Sequence, residues 1–236
     1  DGIYTSSNST FSPNKEEVLS GFRAFFAFSI CLLPIFIGFI LPILELSLWA
    51  YEVNIAFFNE KFFKNSINTF TLSIGTGLIC AGLALLINFS LRFKPTKLIK
   101  RLSSLLSIGY AVPGLILAVG MVQLMVGLDN LIFSNLDIVL TGSIFGLLVA
   151  YIIKTYALAN SSIESGYERI SNSIDDSSRI LGSTSWVMLF NIHAPLMKTA
   201  LLTSVLLVMS DVVKELPATL ILRPFNFETL AVSTYI

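Results

Sequence analysis

Ser161 to Pro195 reads SSIESGYERISNSIDDSSRILGSTSWVMLFNIHAP. It is the longest polar interruption in an otherwise lipid-like chain, and strongly apolar segments flank it. Ile163, Tyr167 and Ile170 recur at helical spacing, with Glu164, Glu168 and Arg169 on other faces. Ser173 can cap a new helix whose first turn carries Asp175 and Asp176. Gly182 suits the end of that helix, where positive φ is common. Ser183 or Ser185 can cap a second helix, Trp186 to His193, with Trp186 and Phe190 on one face and Pro195 stopping it. The stretch therefore reads as two short helices meeting at a glycine, with an aromatic knob on the second. The alternative is an amphipathic hairpin that only anchors the chain to lipid headgroups.

The rest of the chain sets the context. Apolar residues make up 54% and charged residues 13%, against about 25% charged in an ordinary soluble domain. Mean hydropathy is +0.79. The apolar residues fall in long runs, which predicts an all-α, polytopic transmembrane bundle rather than one buried core. Net charge is zero and no basic patch suits nucleic acid. Cys31 and Cys80 lie inside apolar runs and read as small hydrophobes.

Five spans are expected: about Phe22–Tyr51, Ser66–Leu91, Leu102–Gly127, Ile138–Leu158 and Leu196–Leu222. Residues 1–20 read as a polar linker, and Phe57, Phe58, Phe62 and Phe63 as an interfacial turn. Gly75, Gly77 and Gly82 are expected to let helices pack closely. Pro113-Gly114 in the third span implies a kink or break, and Asp129 to Asp137 a short acidic loop. Lys and Arg are distributed unevenly between the two sides. Lys15, Arg23, Arg92, Lys94, Lys97, Lys100, Arg101, Lys154, Arg169, Arg179 and Lys198 fall on one side, and Lys61, Lys64 and Arg223 on the other. The first side, with the start of the chain and the polar stretch, is expected to be cytoplasmic, and the end of the chain outside. The final LAVSTYI looks like the start of another helix, so the chain reads as a piece of a longer polypeptide.

Charges also occur inside the fifth span. Asp211, Lys214 and Glu215 can share one helical face, and Pro217 loosens the helix beside them. Ionisable groups at the bilayer centre cost about 2.5–3.5 kcal/mol each, so they seldom face lipid. One reading puts this face on a translocation path or its gate, where two carboxylates and one ammonium suit a cationic cargo. The other is an ion pair that holds helices together. No Cys/His cluster is present. His193, the single histidine, reads as a packed or surface residue.

The polar stretch resembles the EAA loop of ATP-binding-cassette importer permeases: Glu-Ala-Ala, three residues, Gly, nine residues, Ile, one residue, Leu-Pro. Gly182, Ile192 and Pro195 match in type and spacing. Asp176 stands for the Glu, Ser177 and Ser178 for the two Ala, and Ala194 for the Leu. Tyr110-Ala-Val-Pro-Gly114 looks like a segment common in these permeases. Asp211-Val-Val-Lys-Glu-Leu-Pro-Ala-Thr219 and Leu222-Arg-Pro-Phe-Asn-Phe-Glu-Thr-Leu230 resemble the ferric-iron branch, whose permease halves are often fused. This chain looks like a second half lacking its last helix.

The resemblance implies a type I importer permease fold over residues 21–236, in a bacterial inner membrane. Residues 161–195 would form coupling helices, with Asp176, Ser177, Ser178, Gly182, Trp186, Ile192 and Pro195 docking on an ATPase subunit dimer. Asp211, Lys214, Glu215, Pro217 and Pro113 are the candidate path or gate. A binding protein would deliver the cargo, ferric iron by this resemblance, or thiamine, a polyamine, sulfate or molybdate by the wider loop pattern. The partner ATPase would bind ATP and Mg; this chain has no Gly-rich loop followed by Lys-Ser/Thr and no catalytic set of its own. A second permease half is implied, fused or separate. An ion-coupled carrier using Asp211, Lys214 and Glu215 is the alternative of another class, and it leaves the two-helix stretch unexplained.

Overall fold

Five helices begin on a residue whose side-chain oxygen accepts a free backbone N–H of the first turn, the ordinary way such donors are satisfied. Asn59 accepts from Phe62, Thr96 from Ile99, Ser143 from Gly146, Ser171 from Ser173 and Thr184 from Val187. The structure is a computed structural model that describes residues 19–52, 59–131 and 139–236. Most of the expected N-terminal linker, Phe57, Phe58 and residues 132–137 of the acidic loop lie outside the described residues. The chain divides into two compact units, Asp1–Phe57 and Phe58–Ile236.

The first unit holds one helix, α1, Phe22–Glu52, long and apolar enough to cross a membrane. Pro34 lies inside it and a π-helical stretch follows at Phe36–Ile40. A proline withholds one donor from the ladder, and a widened turn nearby accommodates the defect.

The second unit runs α2 (Glu60–Phe93), α3 (Lys97–Ile108), α4 (Gly114–Leu131), α5 (Ile144–Glu168), α6 (Asn172–Ile180), α7 (Ser185–Leu196), α8 (Lys198–Val213), α9 (Pro217–Leu222) and α10 (Leu230–Tyr235). No strand occurs among the described residues. α2, α4 and α5 are each long and apolar enough to span a bilayer, and α7 with α8, bent by 76°, forms a possible broken fifth span. The unit is built on mutual packing of α2, α5 and α8. Cys80, Ala84, Leu147, Tyr151, Ile163 and Val208 fill that core. Ile67, Phe70 and Leu78 of α2, Leu115 and Ile116 of α4 and Leu202 and Leu206 of α8 are exposed, an outer surface suited to hydrocarbon.

Several polar groups inside the bundle find partners on the protein, as a waterless surrounding demands. Thr69 and Thr76 donate to the carbonyls four residues back. Asn88 Nδ2 donates to Asn160 Oδ1 at 2.8 Å, tying α2 to α5.

Several expected elements differ. The third span is two helices: α3 starts at Lys97, inside the basic stretch, and a 3₁₀ turn at Gly109–Ala111 with extended Val112 separates it from α4. Pro113 drives this break by disfavouring helical geometry at the residue before it. α5 runs ten residues past the span end expected at Leu158: the amphipathic segment read from the spacing of Ile163 and Tyr167 is helical as far as Glu168 and buries both. Lys154 is therefore about 21 Å from the end of α5 at 1.5 Å per residue, deep in the span rather than at its basic end. The fifth span does not run through to Leu222; α8 stops at Val213 and α9 restarts at Pro217. Of the three glycines expected to serve packing, only Gly77 meets a neighbour: a Cβ there would sit 3.1 Å from the Val205 carbonyl oxygen, while Gly75 and Gly82 face open space.

Gly109 makes the tightest approach, since a Cβ there would run into the Ile153 carbonyl oxygen of α5. Backbone cannot yield as a side-chain tip does. Gly109→Ala is expected to destabilise the detergent-solubilised protein by about 3 kcal/mol, the upper end of ordinary overpacking. Gly120→Ala, which meets nothing within 4 Å, should be neutral; thermal unfolding followed by size-exclusion chromatography reads both.

Candidate functional site: an anchored helical elbow and a broken charged helix

Ser171, not Ser173, caps α6, and Thr184, not Ser183 or Ser185, caps α7. The extension of α5 shifts the first cap back by two residues. Gly182 has φ +77°, the left-handed turn expected of it, in which a β-carbon is strained by about 1–2 kcal/mol. Gly182 N–H donates to Arg179 O and Ser183 N–H to Ser178 O, so the corner satisfies the last carbonyls of α6.

Beyond this corner Trp186 and Phe190 stack, ring centroids 5.8 Å apart and planes 5° from parallel. Both stay exposed, as do Ile180, Leu181, Asp176 and Ser177. Ser178 instead turns inward and donates to Ile174 O. Pro195 does not stop α7. The helix adopts a π-helical stretch at Met188–His193 and continues to Leu196, and the chain bends at Met197 into α8. Ile192, half-buried in this stretch, follows Leu189, which is buried in the core.

The inward side of the elbow holds residues whose importance the sequence pattern does not mark. Arg92, near the end of α2, donates from Nε to Asp175 Oδ2 at 2.6 Å. Its Nη1 donates to Tyr167 O at 2.9 Å, and its Nη2 to Ile170 O at 2.8 Å and Asn172 Oδ1 at 3.1 Å. Asp175 Oδ1 lies 3.0 Å from His193 Nε2. His193 is fully buried, with Phe89, Phe93 and Tyr167 around it at 5.4–5.8 Å between ring centroids. The Arg179 guanidinium of α6 lies 4.8 Å from the Phe93 ring centroid. Two adjacent acids, Asp175 and Asp176, thus part company: one is buried and paired, the other is exposed. A helical wheel over α6 could have found this, since Ile174, Asp175 and Ser178 share the inward face.

The charged triplet divides as well. Lys214 Nζ lies 3.1 Å from Asp211 Oδ1, but Glu215 turns away. Its carboxylate pairs with Lys154 of α5 and accepts from Ala218 N–H, a free donor at the start of α9. The helix break at Lys214–Leu216 swings Glu215 off the Asp211 face, so the three do not share one face. Gly114 makes room for the pair: a Cβ there would be 2.6 Å from Glu215 Oε1. Tyr151 OH and Thr219 Oγ1, 2.6 Å apart, close the same seam between α5 and α9. Pro113 and Pro217 therefore lie at facing helix breaks whose shared contact is Glu215. Among the described residues no group of three His, Cys, Asp or Glu side chains is placed to hold a metal ion.

At the other end of α2, the loop between α9 and α10 is fastened by Glu228. It pairs with Lys61 at 3.0 Å and Arg223 at 3.6 Å, and its backbone carbonyl accepts from Asn68. Leu230 N–H donates to Thr69 Oγ1. Phe225 stands 95% exposed at the tip, beside Asn226 at φ 59°.

Residues 73–231 match the family described as binding-protein-dependent transport system inner membrane component, a stretch from α2 into α10 that contains the elbow and both breaks. The chain belongs to that family of ATP-binding-cassette importer permeases. Among curated relatives, it is similar to the putative 2-aminoethylphosphonate transport system permease protein PhnV of Salmonella typhimurium, 29% identical over 111 residues, 47% of this chain and 42% of the relative. The protein of the same name from Salmonella choleraesuis matches to the same extent. The chain thus spans less than half the length of the curated relatives it matches.

Two outcomes follow. Lys154→Met alone is expected to cost about 3–5 kcal/mol of stability, since it leaves a buried carboxylate unpaired, whereas Lys154→Met with Glu215→Leu should recover most of the loss. Transport retained in the double variant would assign the pair to holding helices together. At the loop, the Lys61 hydrogen bond above all, with Asn65 and Arg223, holds Glu228 below its ordinary value of 4.5. Stability from such a group is full above pH 4.5 and is lost as pH falls through its lowered folded value. Hydrogen exchange of residues 223–229 should therefore rise in that acidic window, and in Glu228→Gln it should be raised at neutral pH too.

Proposed function

We propose that this chain is the membrane-spanning permease of an ATP-driven importer in a bacterial inner membrane, and that the elbow of α6 and α7 is its docking surface for a separate ATPase subunit. The observation that carries this reading is the rigid glycine corner presenting the exposed Trp186–Phe190 stack. Exposed aromatic anchors on a supported corner are the usual energetic centre of a protein interface. Asp176 and Ser177, exposed on α6, and the Gly182 turn belong to the same proposed surface. The basic end of the spans, with the elbow, faces the cytoplasm by the excess of Lys and Arg there. ATP-driven closure of the partner pulls the elbow and shifts the spans from inward- to outward-facing. A binding protein supplies cargo at the opposite face, and a second permease half, fused or separate, completes the path. Asp211 and Lys214, next to the break before Pro217, are the groups placed to meet cargo.

Ferric iron is the cargo supported by the resemblance of Asp211–Leu230 to the iron branch. A phosphonate is the second reading, supported by the names of the Salmonella relatives. Uptake of labelled ferric iron and of labelled 2-aminoethylphosphonate into vesicles bearing the full transporter and its binding protein separates them; uptake of neither overturns both. Trp186→Ala is expected to weaken capture of the ATPase subunit by about 2 kcal/mol, roughly thirtyfold, with the protein still inserted in the membrane. Unchanged capture would refute the docking role.

A further inference from the structure

Arg92 belongs to a membrane helix and lies outside the loop pattern, yet it holds more of the elbow than any residue within it. Its four hydrogen bonds go to three places: the Asp175 carboxylate in α6, the Asn172 side chain at the start of α6, and the Tyr167 and Ile170 carbonyls at the end of α5. The two carbonyls belong to a helix terminus, where a cation is favoured and unpaired oxygens need donors. The guanidinium is a planar fork with five donors, so its contacts fix orientation as well as distance. Asp175, with its side chain only 8% exposed, passes the restraint to His193 and hence to α7. His193 is in turn packed against Phe89 and Phe93 of α2.

We propose that Arg92 is the positioning residue that makes α6, α7 and the end of α2 one rigid body, so that a displacement of the elbow reaches a membrane span without loss. This rests on the docking role given to the elbow above. Docking alone needs only the exposed face of the elbow. Transmission needs the buried face to be stiff. Arg92's hydrogen bonds from α2 to α5 and α6, the close Asp175–His193 contact and the packing of His193 on Phe89 and Phe93 supply that stiffness. A lysine at this position would keep the charge but reach only one or two of the four acceptors.

The test uses the permease purified with its bound ATPase subunits. Spin labels are placed at Leu78 of α2 and Ser173 of α6, both exposed, and their separation is measured without nucleotide and with ATP plus vanadate. In the otherwise unaltered protein one narrow distance population is expected in both states. In Arg92→Gln a second, longer-distance population is expected without nucleotide and should grow with ATP plus vanadate, while ATP hydrolysis, assayed without vanadate, persists. Arg92→Lys should fall between the two. A narrow, unshifted distribution in Arg92→Gln overturns the proposal, and so does a nucleotide-dependent change in the unaltered protein. If Arg92→Gln fails to insert, Arg92→Lys and His193→Gln carry the same test, and a single narrow population in both overturns it. Broadening in the variants with no nucleotide effect in any of them supports the rigid tie and refutes the docking role of the elbow, so the two readings fail separately.

Discussion

The second unit depends on a guanidinium placed where three helices end. Arg92 meets two carbonyls at the end of α5, the first turn of α6 and, through Asp175, the imidazole of α7. Each of these groups would be costly to bury alone: two helix-terminal carbonyls, a carboxylate and a histidine whose near polar neighbour is that carboxylate. Together they are compatible with a dry interior, because the cation sits on the acceptors and the rings of Phe89, Phe93 and Tyr167 enclose the imidazole. A buried ion pair adds little net stability compared with apolar packing, but it narrows the number of arrangements the surrounding groups can adopt.

A second buried pair, Lys154 with Glu215, sits at a different kind of place. Here the helices are broken: α3 from α4 at Pro113, α8 from α9 at Pro217. Breaks inside a bilayer leave backbone donors that protein groups must satisfy. Glu215 does so for Ala218 N–H while pairing with Lys154, and Gly114 lets the carboxylate come close. The charges in this span therefore follow from the breaks, and the breaks follow from the prolines.

The number of spans, the two-helix polar stretch, the positive φ at Gly182 and the shared face of Trp186 and Phe190 could be read from the sequence, because each is a local property. Hydropathy, helical spacing and glycine's freedom operate over a few residues. What escaped reading was set by distant partners. Lys154 looked like an end-of-span cation until α5 proved longer. Glu215 looked like a neighbour of Asp211 until the break at Lys214–Leu216 turned it towards α5. Arg92 counted only as one positive charge among many, since nothing within ten residues reveals that its acceptors lie 75 to 83 positions away. The family resemblance located the elbow's outward residues and was silent on the inward ones. The cargo remains a matter of the segment after Asp211 and of relatives that share less than half their length with this chain.

The bend at Met197 joins α7 to α8 without a linker, at 76°. Two rods meeting at a fixed angle form a crank. α7, at twelve residues, is an arm of about 18 Å, and α8, at sixteen, one of about 24 Å. A push of about 1 Å on the free end of α7 turns the crank by roughly 3°, and the far end of α8 then travels a little over 1 Å. A displacement of α7 would thus arrive nearly unamplified in the neighbourhood of Asp211, turned through the 76° between the two helices.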